Sequence, residues 1–540
     1  SHAQCEGEDL TPRLPAHPAD SRRQLLRGSA AGVHAAAAGA TIVSSASAQS
    51  SIPAAVRAIM DRPRYGQSRW FLYVADRDTG DVLYDLNGGD LVLPASTTKL
   101  WSTGAALDAY GPDFRFVTPV YRHGPVDGQG ELRGDLILVA SGDLTMGGRD
   151  TPDGRIAFTG LDHAEANALP GATLTEQDPL AGLDDLARQV AASGIRRVRG
   201  DVLIDARLFE QREKDDYILT PIMINDNLID LTIRPGGVGQ AASVEWRPQS
   251  AAYQVRSAVQ TVAAGADAEA VAVSTQPGVI VVQGQIPVDQ PELLRTFQVE
   301  DPPAFARTLL IEALARQGVT VAAAPTGVNP TAQLPPPGSY VPADRAALHT
   351  SLPFSENIKL INKVSMNVQA DTLICLLAVK AGKRTFDEGM TELLPFIRKA
   401  GIDDNLVFLS DGRGNEYTDL FSPRTVTQLL RYMSTRSDFP TYFNSMPIFG
   451  VDGTETTTVP PTSPVAGKAY AKSGTTVAAD LMHQRLILMT RGNAGYMVGK
   501  SGRELVFGLY VMHVPMVEVT DVLDILKELG SIVEVIYDQT

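Results

Sequence analysis

The chain has 540 residues, 44% hydrophobic and 20% charged, with a mean hydropathy of −0.04, which excludes a disordered or fibrous chain; at about 150 residues per domain it has room for three or four domains. A formal net charge of −15, a pI near 5.1 and the lack of any basic run argue against nucleic acid and anionic lipid as partners. Two cysteines, Cys5 and Cys375, are too few for a disulfide framework or a thiolate zinc site, and the eight histidines form no HExxH or HxH pair, so neither a metal nor a cofactor is expected.

Residues 1–48 read as a signal peptide. Ser21-Arg22-Arg23-Gln24-Leu25-Leu26 supplies a paired arginine, 28–43 a weakly apolar run, and Ala46-Ser47-Ala48 a small-residue cut site before Gln49. The twin arginine and soft, alanine-rich middle favour the twin-arginine export route over an ordinary Sec leader. The apolar run is short and interrupted by His34, so no transmembrane anchor is expected once it is cut, and the mature chain is expected to be periplasmic or otherwise exported. Cleavage leaves Cys375, set in the apolar run Thr372-Leu373-Ile374-Cys375-Leu376-Leu377 and read as a buried small hydrophobe.

Next come a strand at 70–75, a turn at Thr79-Gly80 and a second strand at 82–84: a hairpin. Pro94 opens a helix predicted over 95–110, where its missing N–H costs nothing. From about 115 to 350 short β-like runs (135–139, 201–204, 278–282) alternate with Gly- and Pro-bearing turns, with one amphipathic helix near 179–193. Residues 236–300 read as a separate small β unit, and Pro335-Pro336-Pro337-Gly338 lies in a loop or linker. Helical spacing returns at 354–381 and 386–400. Strands are then predicted at 485–488, 495–498 and 505–512, and a last helix at 522–536 puts Leu523, Leu526, Leu529, Val533 and Ile536 on one face. This order suits a five-stranded antiparallel sheet assembled from both ends of the chain, with helices on its faces and the middle folded as an insertion.

Three motifs carry chemistry. Ser96-Thr97-Thr98-Lys99 puts a hydroxyl and an amine one helical turn apart. A serine hydroxyl needs a base to attack, and with no Ser/His/Asp order evident Lys99 is the candidate, provided that burial or a neighbouring cation lowers its pKa. The Ser96 N–H at a helix start can face a developing oxyanion. Ser365-Met366-Asn367, placed in a helical segment, offers a hydroxyl to relay a proton and an amide to fix a substrate carbonyl. In Lys472-Ser473-Gly474-Thr475-Thr476, read as an edge strand, Lys472 supplies charge for a substrate carboxylate, Gly474 lets backbone approach ligand, and the Thr475 N–H completes an oxyanion hole. Gly499-Lys500-Ser501 ends like a phosphate loop but lacks its spacing.

Ser-x-x-Lys, Ser-x-Asn and Lys-[Ser/Thr]-Gly in this order are the triple of serine β-lactamases and penicillin-binding proteins. The chain resembles the penicillin-binding protein 4 type of D-alanyl-D-alanine carboxypeptidase/endopeptidase, peptidase family S13. The resemblance includes Pro94-Ala95-Ser96-Thr97-Thr98-Lys99, Ser141-Gly142-Asp143, Asn225-Asp226-Asn227 with Asp230, Asp411-Gly412 with Gly414, and Gly450-Val451-Asp452-Gly453-Thr454. Ser473 departs from the threonine usual there but keeps the hydroxyl.

The resemblance implies an α+β fold, a serine β-lactamase/DD-peptidase-like α/β sandwich with inserted β-rich domains between the first and second motifs. The catalytic domain would comprise 49–114 and 350–540, and the insertion 115–349 with a smaller β subdomain at about 236–300. It implies peptidoglycan stem peptides as substrate and β-lactam antibiotics as covalent inhibitors. Ser96, Lys99, Ser365, Asn367 and Lys472 would be catalytic. Ser473, Gly474, Thr475 and Thr476 would bind substrate, with Asp143 set against its free amino group. A β-lactamase of the same fold would need a dedicated base for water, for which Glu416 is a weak candidate, and a non-catalytic cell-wall binding protein would have lost motif residues that are all present.

Overall fold

The structure, a computed structural model, describes residues 51–540. The expected signal peptide, with its paired arginine and cut site, falls outside the described residues.

The central sheet has five antiparallel strands in the order Val82–Leu86, Arg69–Asp76, Glu504–Pro515, Arg485–Val498 and Ala469–Asp480. Two come from the start of the described chain and three from its end, as the order of elements predicts. The period-two alternation of a strand assigns its faces. Phe71, Tyr73 and Ala75 join the core under the helices Lys99–Tyr110, Asn367–Lys380 and Pro423–Ser434. Trp70, Leu72 and Val74 join the opposite core, with the helices Ala54–Met60 and Asp521–Gln539. Both faces are covered, so Leu505–Val511 is buried at every position.

Lys99–Tyr110 is the central helix. Lys99 to Leu107 are all buried, the pattern of a helix packed on every side. The Asn367–Lys380 helix lies against it, buried from Val368 to Ala378 and carrying the buried, unpaired Cys375.

Between these parts, Arg345–Thr350, Val117–His123, Asp135–Val139 and Val202–Asp205 form a four-stranded mixed sheet. The helices Ala181–Ala192 and Pro302–Arg316 share its core. Two three-stranded sheets adjoin it. Ser243–Arg247 and Leu293–Gln298 flank Leu228–Arg234, and Gln254–Val262 runs parallel to Val279–Pro287. Side chains from 236–300 such as Val259, Ile280 and Ile286 enter the same core as Leu136 and Leu309.

Several local expectations need correction. The stretch 354–381 is two helices, Phe354–Lys363 and Asn367–Lys380, and Ser365 sits in the break with φ +64° rather than in a helical segment. The runs 485–488 and 495–498 are one strand, Arg485–Val498. Its polar middle disguised it, but Thr490, Arg491 and Asn493 are buried there and Gly492 lies flat against the Tyr510 ring. Leu523 is exposed, and the buried face of the last helix runs through Val522, Ile525, Leu526, Leu529, Ile532, Val533 and Ile536. The helix Pro302–Arg316 stands within a stretch whose texture predicts β structure, capped by Asp301 through Ala304 N and opened by Pro302.

Candidate active site

The Ser96 turn is a single 3-10 turn, Ala95–Thr98, feeding the central helix. Thr97 ties it down: its hydroxyl donates to the Pro94 carbonyl at 2.7 Å and lies 3.0 Å from the Tyr510 hydroxyl. Ala95 is left-handed, φ +48°, a conformation costing about 1 kcal/mol or more outside glycine, which persists only where surroundings impose it. Two glycines impose it by close approach. A Cβ on Gly474 would stand 2.5 Å from the Pro94 oxygen and 3.0 Å from the Ser96 nitrogen, and one on Gly414 1.8 Å from the Ala95 oxygen.

Lys99 is wholly buried. Its amine lies 2.7 Å from Ser96 Oγ, 2.7 Å from Asn367 Oδ1 and 3.2 Å from the Arg413 carbonyl. Burial lowers its pKa to about 7 against the opposing pull of the Asp411 and Glu165 carboxylates. Two of its three neighbours, a side-chain amide oxygen and a backbone carbonyl, can only accept. A neutral amine has two N–H groups and one lone pair, so those acceptors take the protons and the lone pair faces the Ser96 hydroxyl. That is the geometry of a base about to receive a proton.

The second motif arrives at the break between helices. Ser365 is left-handed, and Asn367 opens the next helix, where its side chain reaches Lys99. From the edge strand Ala469–Asp480, the buried Lys472 amine donates to Ser365 Oγ at 3.0 Å and to the Ser473 carbonyl at 2.8 Å. Burial, then the like charge of Lys99, hold Lys472 well below the usual lysine range. Ser473 Oγ lies 3.1 Å from Thr454 Oγ1. Along this strand Gly474 is buried, Thr475 exposed and Thr476 half-buried, so the backbone emerges to solvent next to Ser96. The stretches around Ser96, Ser365 and Lys472, 269 and 376 residues from the first, thus meet at one place.

Other residues enter without a motif. Asp411 accepts the N–H groups of Arg413, Gly414 and Asn415 and shapes the turn that delivers the Arg413 carbonyl to Lys99. Asp371, one helical turn beyond Asn367, accepts from Gly412 N and from the Tyr217 hydroxyl, both at 2.8 Å. Arg413 spans the same corner, bonded to Asp216 and lying over the Tyr217 ring. Gln369 donates to Asp226 at 2.7 Å. Asp226 in turn belongs to a buried cluster with Arg149, Asp162, His163 and Asp230. Segment 117–350 therefore grips the first two turns of the Asn367 helix at two buried points. Glu165, from a short turn in that segment, sends its field onto both lysines, while burial raises its own pKa. Sequence offered a signal here only in the Asp411-Gly412 pair and in Asn225-Asp226-Asn227 with Asp230; Asp371, Arg413, Tyr217, Gln369, Arg149, Asp162, His163 and Glu165 had none.

Asp143 makes no hydrogen bond to Ser96, Lys99, Ser365, Asn367 or Lys472. It is 2% exposed, caps Thr145 and Met146 N–H through Oδ1, and faces His349 at 3.4 Å through Oδ2. It acts as a turn cap with a histidine neighbour. Glu416 is exposed on the outer end of the 410–419 loop. Among the described residues no cluster of His, Cys, Asp and Glu is arranged to hold a metal ion.

The profile of the D-Ala-D-Ala carboxypeptidase 3 (S13) family matches residues 52–528. D-alanyl-D-alanine carboxypeptidase of Actinomadura sp. (strain R39) is 27% identical over 480 residues, which cover 84% of this chain and 79% of that protein. D-alanyl-D-alanine carboxypeptidase DacB of Haemophilus influenzae is 24% identical over 391 residues, 69% of this chain and 72% of that one. The crystal structure of penicillin binding protein 4 (dacB) from Haemophilus influenzae shares the fold, with a TM-score of 0.66 at 20% identity over 89% of this chain and 99% of that one. With a family profile spanning nearly all the described residues, the chain belongs to the D-Ala-D-Ala carboxypeptidase 3 (S13) family.

Proposed function

We propose that this protein is an exported serine D-alanyl-D-alanine carboxypeptidase, with endopeptidase action on cross-linked stems, working through an acyl-enzyme at Ser96. Ser96 Oγ attacks the carbonyl of the penultimate D-alanine while Lys99 takes its proton. The oxyanion sits between the N–H groups of Ser96 and Thr475, each such donor being worth about 3 kcal/mol. Ser365, hydrogen-bonded to Lys472, relays that proton from Lys99 to the departing amine as the C–N bond breaks. Lys472 and the hydroxyls of Ser473, Thr475 and Thr476 hold the carboxylate of the leaving residue. Water then attacks the ester, returning the proton to Ser96 and freeing the shortened stem.

The observation that carries this reading is the Lys99 amine, 2.7 Å from Ser96 Oγ with its other neighbours both acceptors. Penicillin binding is supported by the family and by a related Haemophilus influenzae structure described as complexed with a novel β-lactam. Export is supported by the leader-like residues 1–48. No helix among the described residues is long and apolar enough to cross a membrane.

The test is release of D-alanine from an N-acyl-D-alanyl-D-alanine peptide, with fluorescent penicillin as label. Wild type is expected to release D-alanine and to carry a stable label; Ser96→Ala is expected to do neither. Sustained penicillin hydrolysis without D-alanine release would turn the reading into a β-lactamase.

A further inference from the structure

Arg491 lies on the strand Arg485–Val498 directly across from Thr475 of the edge strand. It is buried, 8% exposed, and its Nη1 donates to Thr475 Oγ1. Its nearest carboxylate is Glu455, which stands 3.7 Å from Nη2, too far for a hydrogen bond. Glu455 takes its own hydrogen bond from Thr458. Arg491 Nε and Glu455 Oε1 have no hydrogen-bond partner. A guanidinium cannot shed its proton, and a buried cation with unspent donors is costly unless another anion completes it.

The place where that anion would come is marked. Thr475 is the first exposed residue of the edge strand after the buried run Ala471–Gly474, and Gly474 lies against Ser96 N. A threonine hydroxyl that accepts from a guanidinium must send its own proton to another acceptor. Thr475 is exposed on the edge strand of the sheet, the side open to a substrate in the proposed reaction. Arg491 thus turns Thr475 into a donor and places a buried positive charge behind it.

We propose that Arg491 is a positioning residue, acting through Thr475, that makes the enzyme require a free carboxylate on the residue leaving Ser96. The inference rests on the reading of Ser96 as nucleophile. It accounts for a shared preference in both proposed reactions, because the residue expelled carries a free carboxylate whether it is a terminal D-alanine or the branch of a cross-link.

The test compares two acyl donors: N-acyl-D-alanyl-D-alanine, whose leaving group has a carboxylate, and the methyl ester of the same N-acyl-D-alanine, whose leaving group has none. For Arg491→Gln, kcat/KM on the peptide is expected to fall about tenfold or more relative to that on the ester, the loss of one charge-assisted hydrogen bond. Arg491→Lys is expected to recover part of the ratio. Thr475→Val, at an exposed position, is expected to shift the ratio the same way and carries the test if Arg491→Gln does not fold. A purely structural role lowers both substrates by one factor, so an unchanged ratio in the folded variants overturns the proposal. Mapping the wild-type penicillin adduct separates the two claims: an adduct away from Ser96 defeats the nucleophile assignment whatever the ratio, whereas an adduct on Ser96 with an unchanged ratio defeats only the role of Arg491.

Discussion

The pH dependence of acylation follows from the surroundings of Lys99. Burial brings the amine from its ordinary value of 10.5 down to about 7, with Asp411 and Glu165 pulling the other way. Only the neutral amine can take the Ser96 proton. Acylation is therefore expected to rise through an apparent pKa near 7 and to level off above it. Two pH units below that midpoint about one molecule in a hundred has Lys99 neutral, so acylation at pH 5 is about 100-fold slower than on the plateau. Glu165→Gln removes a negative charge that favours the protonated amine. The midpoint must then move to lower pH, by roughly half a unit to one unit for the loss of one nearby screened charge. The assay is stopped-flow or quenched labelling by fluorescent penicillin from pH 5 to 9 on wild type, Glu165→Gln and Lys99→Met. Lys99→Met is expected to remain unlabelled throughout. A flat wild-type profile, or an alkaline shift in Glu165→Gln, would refute the assignment of Lys99 as base.

Further expectations follow from the packing. Gly474→Ala drives a methyl to 2.5 Å from the Pro94 oxygen and spreads the Ser96 turn from the edge strand, so the acylation rate constant should fall by about 100-fold, the effect of a lost oxyanion donor. Tyr217→Phe strips a buried hydroxyl from Asp371; about 2 kcal/mol of stability should go with it, read by denaturant unfolding, along with slower acylation because Asp371 also holds Gly412. His163 is a stability switch of known sign. Burial opposes its charge, but Asp230 and Asp226 outweigh it and raise its pKa to about 10. The stabilisation is fully present below the unfolded value near 6.5 and fades as pH rises through about 10. Urea midpoints should therefore decline between pH 7 and 10 in wild type and decline less in His163→Gln.

The parts of the site that sequence revealed are those whose geometry is local. Ser96 and Lys99 are one turn apart, so their meeting follows from a helix alone, and Lys472 to Thr476 sit in a strand-like run with a glycine where backbone must pass backbone. What escaped depends on chain folding back from far away. The third neighbour of the Lys99 amine is the backbone carbonyl of Arg413, which has no side-chain signature. Arg491 lies in a polar stretch that reads as a gap between two strands, because its partner Thr475 belongs to another strand. The break at Ser365 is invisible for a different reason: the apolar spacing is helical on both sides, and neither glycine nor proline marks the left-handed residue between. Glu165 and Tyr217 come from segment 117–350, whose composition announces β structure but not the grip it takes on the helix bearing Asn367, and the Asn225-Asp226-Asn227 motif does not show that Asp226 meets Gln369.

The central claim is that the Ser96 oxygen becomes covalently bonded to the acyl group while Lys99 holds its proton. Intact mass measured after exposure to penicillin, followed by peptide mapping of the adduct, tests it most directly. A single addition of the mass of one penicillin, located on the peptide containing Ser96 and lost in Ser96→Ala, is the predicted result. No adduct, or one that maps to another residue and survives Ser96→Ala, would contradict it.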